Sequence, residues 1–429
     1  MHPSLLFRSI VVIGLTFGLL AGDAFAGFFR RYPDATEESK PAAPSRPAQT
    51  DVGDDTEAYA PAAEPEEDPG LFRTLPHGDG GLTIEYIYTG EVFNNMRGGL
   101  NTNRATVYRG NFDLVMTADL DEIGFAPGGT IFLYGQNGHG QGLTDRHVGG
   151  TQGVSNLVAP DFMQVSEFWW ERGFCDDVFR LRIGKQDAAA DFAFVELCGD
   201  FINPVFGAPA TIPMPTFPDP TMAAVTFVQL TEDLVFQCGV FDGAASGSSW
   251  GFSRTGEPFT IFEFRGNYES LRGMPGQFHV GMWHHDGVFE NPANAAITHH
   301  SNRGIYLGAD QLIVKENVHD ADDGQGLGVF GQYTWAPQDR NAVTQSFIVG
   351  LAYKGLLCCR DDDITGIGVG NVTFSNLTPA LVNETIVELF YKIQLTPYTI
   401  LQPDLQYVAD PSGNGRDAFV AGLRFEVVL

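Results

Sequence analysis

Two neighbouring stretches of this chain place charged or aromatic residues at every second position: Glu167, Trp169 and Glu171, then Arg180 and Arg182. A spacing of two puts such side chains on one face of a strand. Carboxylates, guanidinium forks and an indole ring together supply donors and acceptors for sugar hydroxyls and a flat surface for sugar C–H faces. The same polar phase continues through Arg109 and Asp113, Gln186, Glu263, Arg265 and Asn267, and closes with Glu388, Lys392, Gln394, Gln402 and Asp404. Facing Arg and Glu have a plainer reading too, in which they neutralise one another and keep a wall in shape.

Covalent chemistry has less support. The chain reads as lacking a serine nucleophile elbow, an H-E-x-x-H pair and a Walker loop. Glu167 and Glu171 could by chance stand at the ~5 to 9 Å that a glycosidase needs between its carboxylates. No catalytic residue, metal ligand set or cofactor is assigned. His284-His285 and His299-His300 flank one expected outside loop, but nothing in the spacing sets a geometry for Zn²⁺ or Cu²⁺. Five cysteines do not form a complete pairing set. Cys175 and Cys198 fall at opposite ends of a strand, and Cys358-Cys359 falls in a short turn.

The elements that must carry the polar phase are strands. From position 82 to 429 short alternating segments are separated by Gly, Asp, Asn and Pro. Val387, Leu389, Tyr391, Ile393 and Leu395 share a face opposite Glu388, Lys392 and Gln394, and only Phe390 breaks the polar side. Leu401, Pro403, Leu405 and Tyr407 likewise oppose Gln402, Asp404 and Gln406, and Tyr108, Phe112, Leu114 and Met116 oppose Arg109, Asn111 and Asp113. About sixteen such segments can be counted, from 82–89 through 276–285 and 303–315 to 418–429, many near the ~10 residues that cross a bilayer at a tilt. Connections alternate in length: short at 173–176, 231–232, 269–275 and 396–397, long at 138–161, 188–221, 242–258 and 286–302. A soluble sandwich has no reason to keep that parity, whereas a transmembrane antiparallel β-barrel with short periplasmic turns and longer outside loops requires it. The stretch from 187 to 220, with Phe192, Phe194, Phe201, Phe206 and six prolines, has too much apolar surface for a free loop and is expected to fold into the lumen.

Arg8, the apolar run from Ile10 to Leu20 and Ala24-Phe25-Ala26 have the layout of a signal peptide ending at residue 26. Residues 27–75, rich in Pro, Ala, Glu and Asp, lack the large apolar residues that would offset ordering and read as a periplasmic tether. The barrel is expected over 76–429. A net charge of -28 repels phosphate and excludes nucleic acid as a partner, while 51 Gly and 34 Phe with only 18% charged residues suit a barrel with an aromatic exterior.

Over nearly the whole barrel region the sequence resembles the carbohydrate-selective porin family of the OprB type. The likeness rests on Glu167-Phe168-Trp169-Trp170-Glu171 leading through Phe179 to Lys185 and Asp187, on GVFGQYTWAP from Gly328 with Asp339-Arg340-Asn341 after it, and on YKIQLTPYTILQPDLQYVAD from Tyr391. The resemblance implies a sixteen-stranded barrel that passes monosaccharides and related sugars without covalent chemistry, in contact with outer-membrane lipid, and analogy with porins adds a homotrimer. Such barrels usually end in an aromatic residue, whereas this chain ends Val427-Val428-Leu429, leaving Phe425 as the substitute. A β-rich hydrolase and a structural tether or adhesin of the outer membrane are the alternatives.

Overall fold

A computed structural model describes residues 80–428 except 245, 254–255, 271–272 and 318–323; the expected leader and tether lie outside them. The described residues form a closed ring of sixteen antiparallel strands in which every strand pairs with its sequence neighbours and the first pairs with the last. These are β1 (Leu82–Gly98), β2 (Thr106–Asp119), β3 (Thr130–Gly140), β4 (Phe162–Phe174), β5 (Phe179–Gln186) and β6 (Thr221–Thr231). They continue with β7 (Leu234–Asp242), β8 (Pro258–Glu269), β9 (Pro275–Asn291), β10 (Asn294–Lys315) and β11 (Gly326–Trp335). The ring ends with β12 (Val343–Lys354), β13 (Ile364–Phe374), β14 (Asn383–Thr396), β15 (Thr399–Ala409) and β16 (Ala418–Val428).

Closure leaves no unpaired edge, the condition for a sheet in lipid. It also sets the two faces apart. On β12, Phe347, Val349 and Leu351 are exposed on the outside, while Ser346, Ile348 and Ala352 are buried within. Phe264, Val280, Leu389 and Leu405 continue the exposed apolar band on other strands, and hydrocarbon rather than water is the solvent such a band fits. Near the chain's end, Phe425 lies opposite Gly90 in the register and its ring comes within 6.0 Å of the Tyr88 ring; a Cβ at Gly90 would overlap it.

Connections alternate as the sequence indicates, with one correction. Residues 286–302, expected as a long outside loop, are the upper parts of β9 and β10, joined by a turn at Pro292-Ala293. Val288 pairs with His300 and Glu290 with Thr298, so alternation and β-branched residues continue the ladder where a loop was expected. β9 leaves β8 at His285 and β10 meets β11 only from Ile305, so this ribbon stands alone beyond the ring. The first strand likewise runs nine residues past its expected end at 89, with a bulge at Asn95/Arg97.

The core lies inside the ring. Two outside connections turn inward, 141–161 and 187–220, and both hydrophobic clusters combine their side chains with the inner wall. One joins Leu143, Val148, Val154, Leu197, Phe201 and Phe206 to Phe330, Ile386, Phe390 and Val420. The other joins Phe192, Ile212 and Met214 to Val225, Phe241, Phe259 and Trp283.

Candidate functional site

The β4–β5 hairpin brings the sequence's polar residues into one group. Its register sets Glu171 opposite Arg182 and Gly173 opposite Arg180. Glu171 accepts hydrogen bonds from Arg180 at 2.8 Å and Arg182 at 2.7 Å, and Arg182 donates also to Asp191 of the inserted segment at 2.7 Å. The Arg182 guanidinium lies 4.3 Å from the Trp169 ring centroid, and Trp169 stacks on Phe132 at 4.8 Å. These contacts occupy the indole that the sequence offers as a sugar platform. Arg180, 4.6 Å from the Phe227 ring, keeps 36% of its side chain exposed, against 13% for Arg182. Among these charges it is the one most open to a solute.

Many of the remaining inward polar residues hold the inserted segments. Irregular backbone within a barrel must find partners for its N–H and C=O groups. Glu388 accepts from the backbone N–H of Ile202 at 2.6 Å and of Asn203 at 2.9 Å. Glu263 accepts from Ala193 N–H at 2.8 Å, and Glu167 from Asp187 N–H at 3.2 Å. The donors are complementary: Gln402 donates to the Asp200 carbonyl, Arg265 to those of Asp191 and Phe194, and Arg109 to that of Leu157. Lys392 pairs with the Asp200 carboxylate at 2.7 Å. Carboxylates thus meet N–H groups, and amides or cations meet C=O groups and a carboxylate.

The other candidates are bonded differently, and one of them, Asp404, stands beside the anchor Glu388. Asp113 accepts from Tyr134, Asn111 and Gln136. Gln186, fully buried, donates to the Ala223 carbonyl of the neighbouring strand. Asp404 accepts from Gln406 at 2.9 Å. Asn267 and Gln394 sit at the short-turn end, where Gln394 donates to the Thr396 carbonyl.

Several anchors lie outside the candidate set, although Gln406 shares the polar face of Gln402 and Asp404. Glu384 accepts from Thr151 and Gln152 N–H, Asp310 from Glu196 N–H, and Gln332 and Gln406 donate to the Ala193 and Val154 carbonyls. The least visible feature is a row of glycines on the inner face of β13. A Cβ at Gly366, Gly368 or Gly370 would come within 2.4–2.6 Å of atoms of Phe390, Phe206 or Val205. Their bare backbone seats the segment from Phe201 to Phe206. The alternation Gly366-x-Gly368-x-Gly370 was a legible signal, since glycine weakens a strand and often marks a close approach.

One motif was overlooked. Gly247-Ser248-Ser249-Trp250-Gly251 spells G-x-S-x-G, but it lies in the connection between β7 and β8 rather than on a strand-to-helix turn, and the Ser249 hydroxyl meets that of Ser246 at 3.2 Å. The histidines separate: His285 meets the Gly243 carbonyl, His284 meets Asp286, and His299 lies 3.8 Å from Asp339. Cys175 and Cys198 are both free.

The sequence profile described as "Carbohydrate-selective porin, OprB family" matches residues 103–429. Porin B of Pseudomonas aeruginosa is 21% identical over 406 residues, covering 81% of this chain and 88% of that protein. The high-pH structure of Pseudomonas putida OprB superposes with a TM-score of 0.73 at 22% identity, covering 81% of this chain and 94% of that one. The low-pH structure of the same protein gives 0.55 at 17% identity, covering 81% and 93%.

Proposed function

This chain belongs to the carbohydrate-selective porin family, OprB type, and from that premise we propose that it passes monosaccharides and related small sugars one at a time past a constriction made by the inserted segment 187–220. The family is one of channels, and the chain is an outer-membrane porin for carbohydrates. The finer reading, which solutes and which residues, rests on one observation. The inserted segment is fastened to the wall by hydrogen bonds and apolar packing, while the Arg180 guanidinium beside it stays partly open. A fixed obstruction with an accessible cation offers donors to hydroxyls at the narrowest level, where selectivity is decided.

Arg180 is the proposed direct contact at that level, with Arg182, Trp169, Glu171 and Arg265 proposed to set its position and the local charge, the Trp169 indole being covered by Arg182 and Phe132. Arg109, Asp113, Glu167, Gln186, Glu263, Asn267, Glu388, Lys392, Gln394, Gln402 and Asp404 are proposed to line the pore or hold its contents in place. Outer-membrane lipid is the proposed partner of the exposed apolar band, and the homotrimer is carried with it, to be checked by cross-linking in native membranes. The deciding experiment is single-channel conductance in planar bilayers. A monosaccharide such as glucose should interrupt the current in a dose-dependent way and a large oligosaccharide should not. Equal insensitivity to both would overturn the reading.

A further inference from the structure

The β12–β13 turn carries two thiols in contact. The Cys358 and Cys359 sulfurs lie 3.4 Å apart and both residues are exposed. The turn is built rather than loose. The Asp363 carboxylate, with only 2% of its side chain accessible, accepts two hydrogen bonds from Arg360, one from the Tyr391 hydroxyl and one from the Gln394 N–H. Cys359 is held with φ near 65°, a left-handed conformation that residues with a Cβ rarely adopt. The turn lies at the short-turn end of the barrel, the end that also carries the terminus of the last strand, and in outer-membrane barrels the short turns are the periplasmic ones. The third exposed cysteine, Cys175, is at the same end in the β4–β5 turn, but eight strands away around the ring of sixteen. It has no thiol neighbour within reach.

We propose that Cys358 and Cys359 form a reversible redox site that faces the periplasm and is oxidised by disulfide-bearing donors. The Cys358 thiolate attacks one sulfur of the donor disulfide, whose S–S bond breaks as one donor thiolate leaves with the electron pair. The Cys359 thiolate then attacks the Cys358 sulfur of this mixed disulfide, closing the vicinal bond and releasing the second donor thiolate. Two electrons and two protons pass from the pair to the donor. Sulfurs already in contact make the second step fast compared with capture of a second donor. Adjacent Cα atoms stand about 3.8 Å apart, less than the roughly 4.4–6.8 Å of ordinary disulfides, so the closed ring is strained and yields to thiols. A bacterial periplasm is kept oxidising by such donors, which closes the pair; two thiols reopen it, becoming a disulfide themselves as the vicinal bond takes their two electrons and two protons.

The test uses the full detergent-solubilised barrel and oxidised glutathione, at a dose that fully converts Cys175 to its glutathione adduct. Trypsin then releases residues 355–360, bounded by Lys354 and Arg360 and holding only this pair, and residues 173–180, holding only Cys175. The 355–360 peptide should fall from two alkylatable thiols to none, weigh two hydrogens less, and regain both thiols in excess reduced glutathione. In Cys359→Ser, Cys358 should carry one glutathione, as Cys175 does. A 355–360 peptide that keeps two thiols, or carries two glutathiones, would overturn the proposal.

Discussion

Removing the Glu388 carboxylate should loosen the inserted segment without opening the barrel. Glu388→Ala takes the acceptor from the Ile202 and Asn203 N–H groups, and each buried donor left unpaired costs about 1–3 kcal/mol, so about 2–6 kcal/mol in all. Asp404, itself buried, stands diagonally across from Glu388 in the β14–β15 register. Losing one of two neighbouring carboxylates relieves repulsion, which favours the lower half of that range. Against this stand Phe201, Ile202, Val205 and Phe206, all nearly fully buried, at about 1.5–3 kcal/mol each. Packing therefore keeps the segment mostly docked in Glu388→Ala, while the ratio of undocked to docked states rises by about 30-fold or more, at roughly tenfold per 1.4 kcal/mol. Phe201→Ala with Phe206→Ala, at about 3–5 kcal/mol per ring, should undock it further. Single-channel recording should show larger, noisier openings in the order wild type, Glu388→Ala, double Phe variant, and proteolysis should cut within 187–220 in the same order. Unchanged conductance and cleavage in the double Phe variant, with an intact barrel, would refute the claim that this segment narrows the pore.

Arg180→Ala should weaken sugar block and shift ion preference toward cations with little loss of stability, since Arg180 is partly exposed; Arg182→Ala should also destabilise the barrel, because it leaves Glu171 and Asp191 without a shared cation. Equal melting temperatures for the two variants would contradict this. Gly368→Leu should displace Phe206 from the wall and raise conductance, and a channel of wild-type size would show that the glycine row seats nothing. The closed barrel should migrate faster on a denaturing gel before heating than after it; identical mobility would argue against closure. Arg340, hydrogen-bonded to Asp339, holds that carboxyl below its usual 3.8. A lowered carboxylate pKa contributes stability that is present above the unfolded value and lost as pH falls through the folded one, so the protection factors of the 336–342 amides, corrected for the pH dependence of intrinsic exchange, should be unchanged between pH 7 and pH 5. Loosening already at pH 5 would count against the tie.

The ring was legible because one periodicity, apolar outward and polar inward, held across most strands and the turns kept their parity. Arg109, Arg182, Glu263 and Glu388 were legible as inward residues for the same reason. Their partners were not, because alternation places a side chain on a face without saying what fills the space beyond it. Phe390 shows the limit. It breaks the polar phase of its strand because its ring meets Phe201 at 4.9 Å, a contact with a residue 189 positions earlier that no local pattern encodes. The extension of β9 and β10 was missed for a different reason, since Asn, His, Ala and Pro outnumber the β-branched Val288, Ile297 and Thr298 there and are poor strand signals.

Closure of the ring by its first and last strands governs how the molecule can be made. Arg424 meets Glu91 across 333 positions, so the bond that completes the cylinder forms only when the whole chain is present. Arg424, Gln402 and Gln406 also supply partners to the inward segments, and they are among the last residues synthesised. Until they arrive, the phenylalanines of 187–220 have neither wall nor lipid to cover them and are open to aggregation. Assembly therefore requires that the chain stay uncollapsed until it is whole, and a chain cut short before Ala418 would lose the closing strand and with it the partner that Arg424 provides.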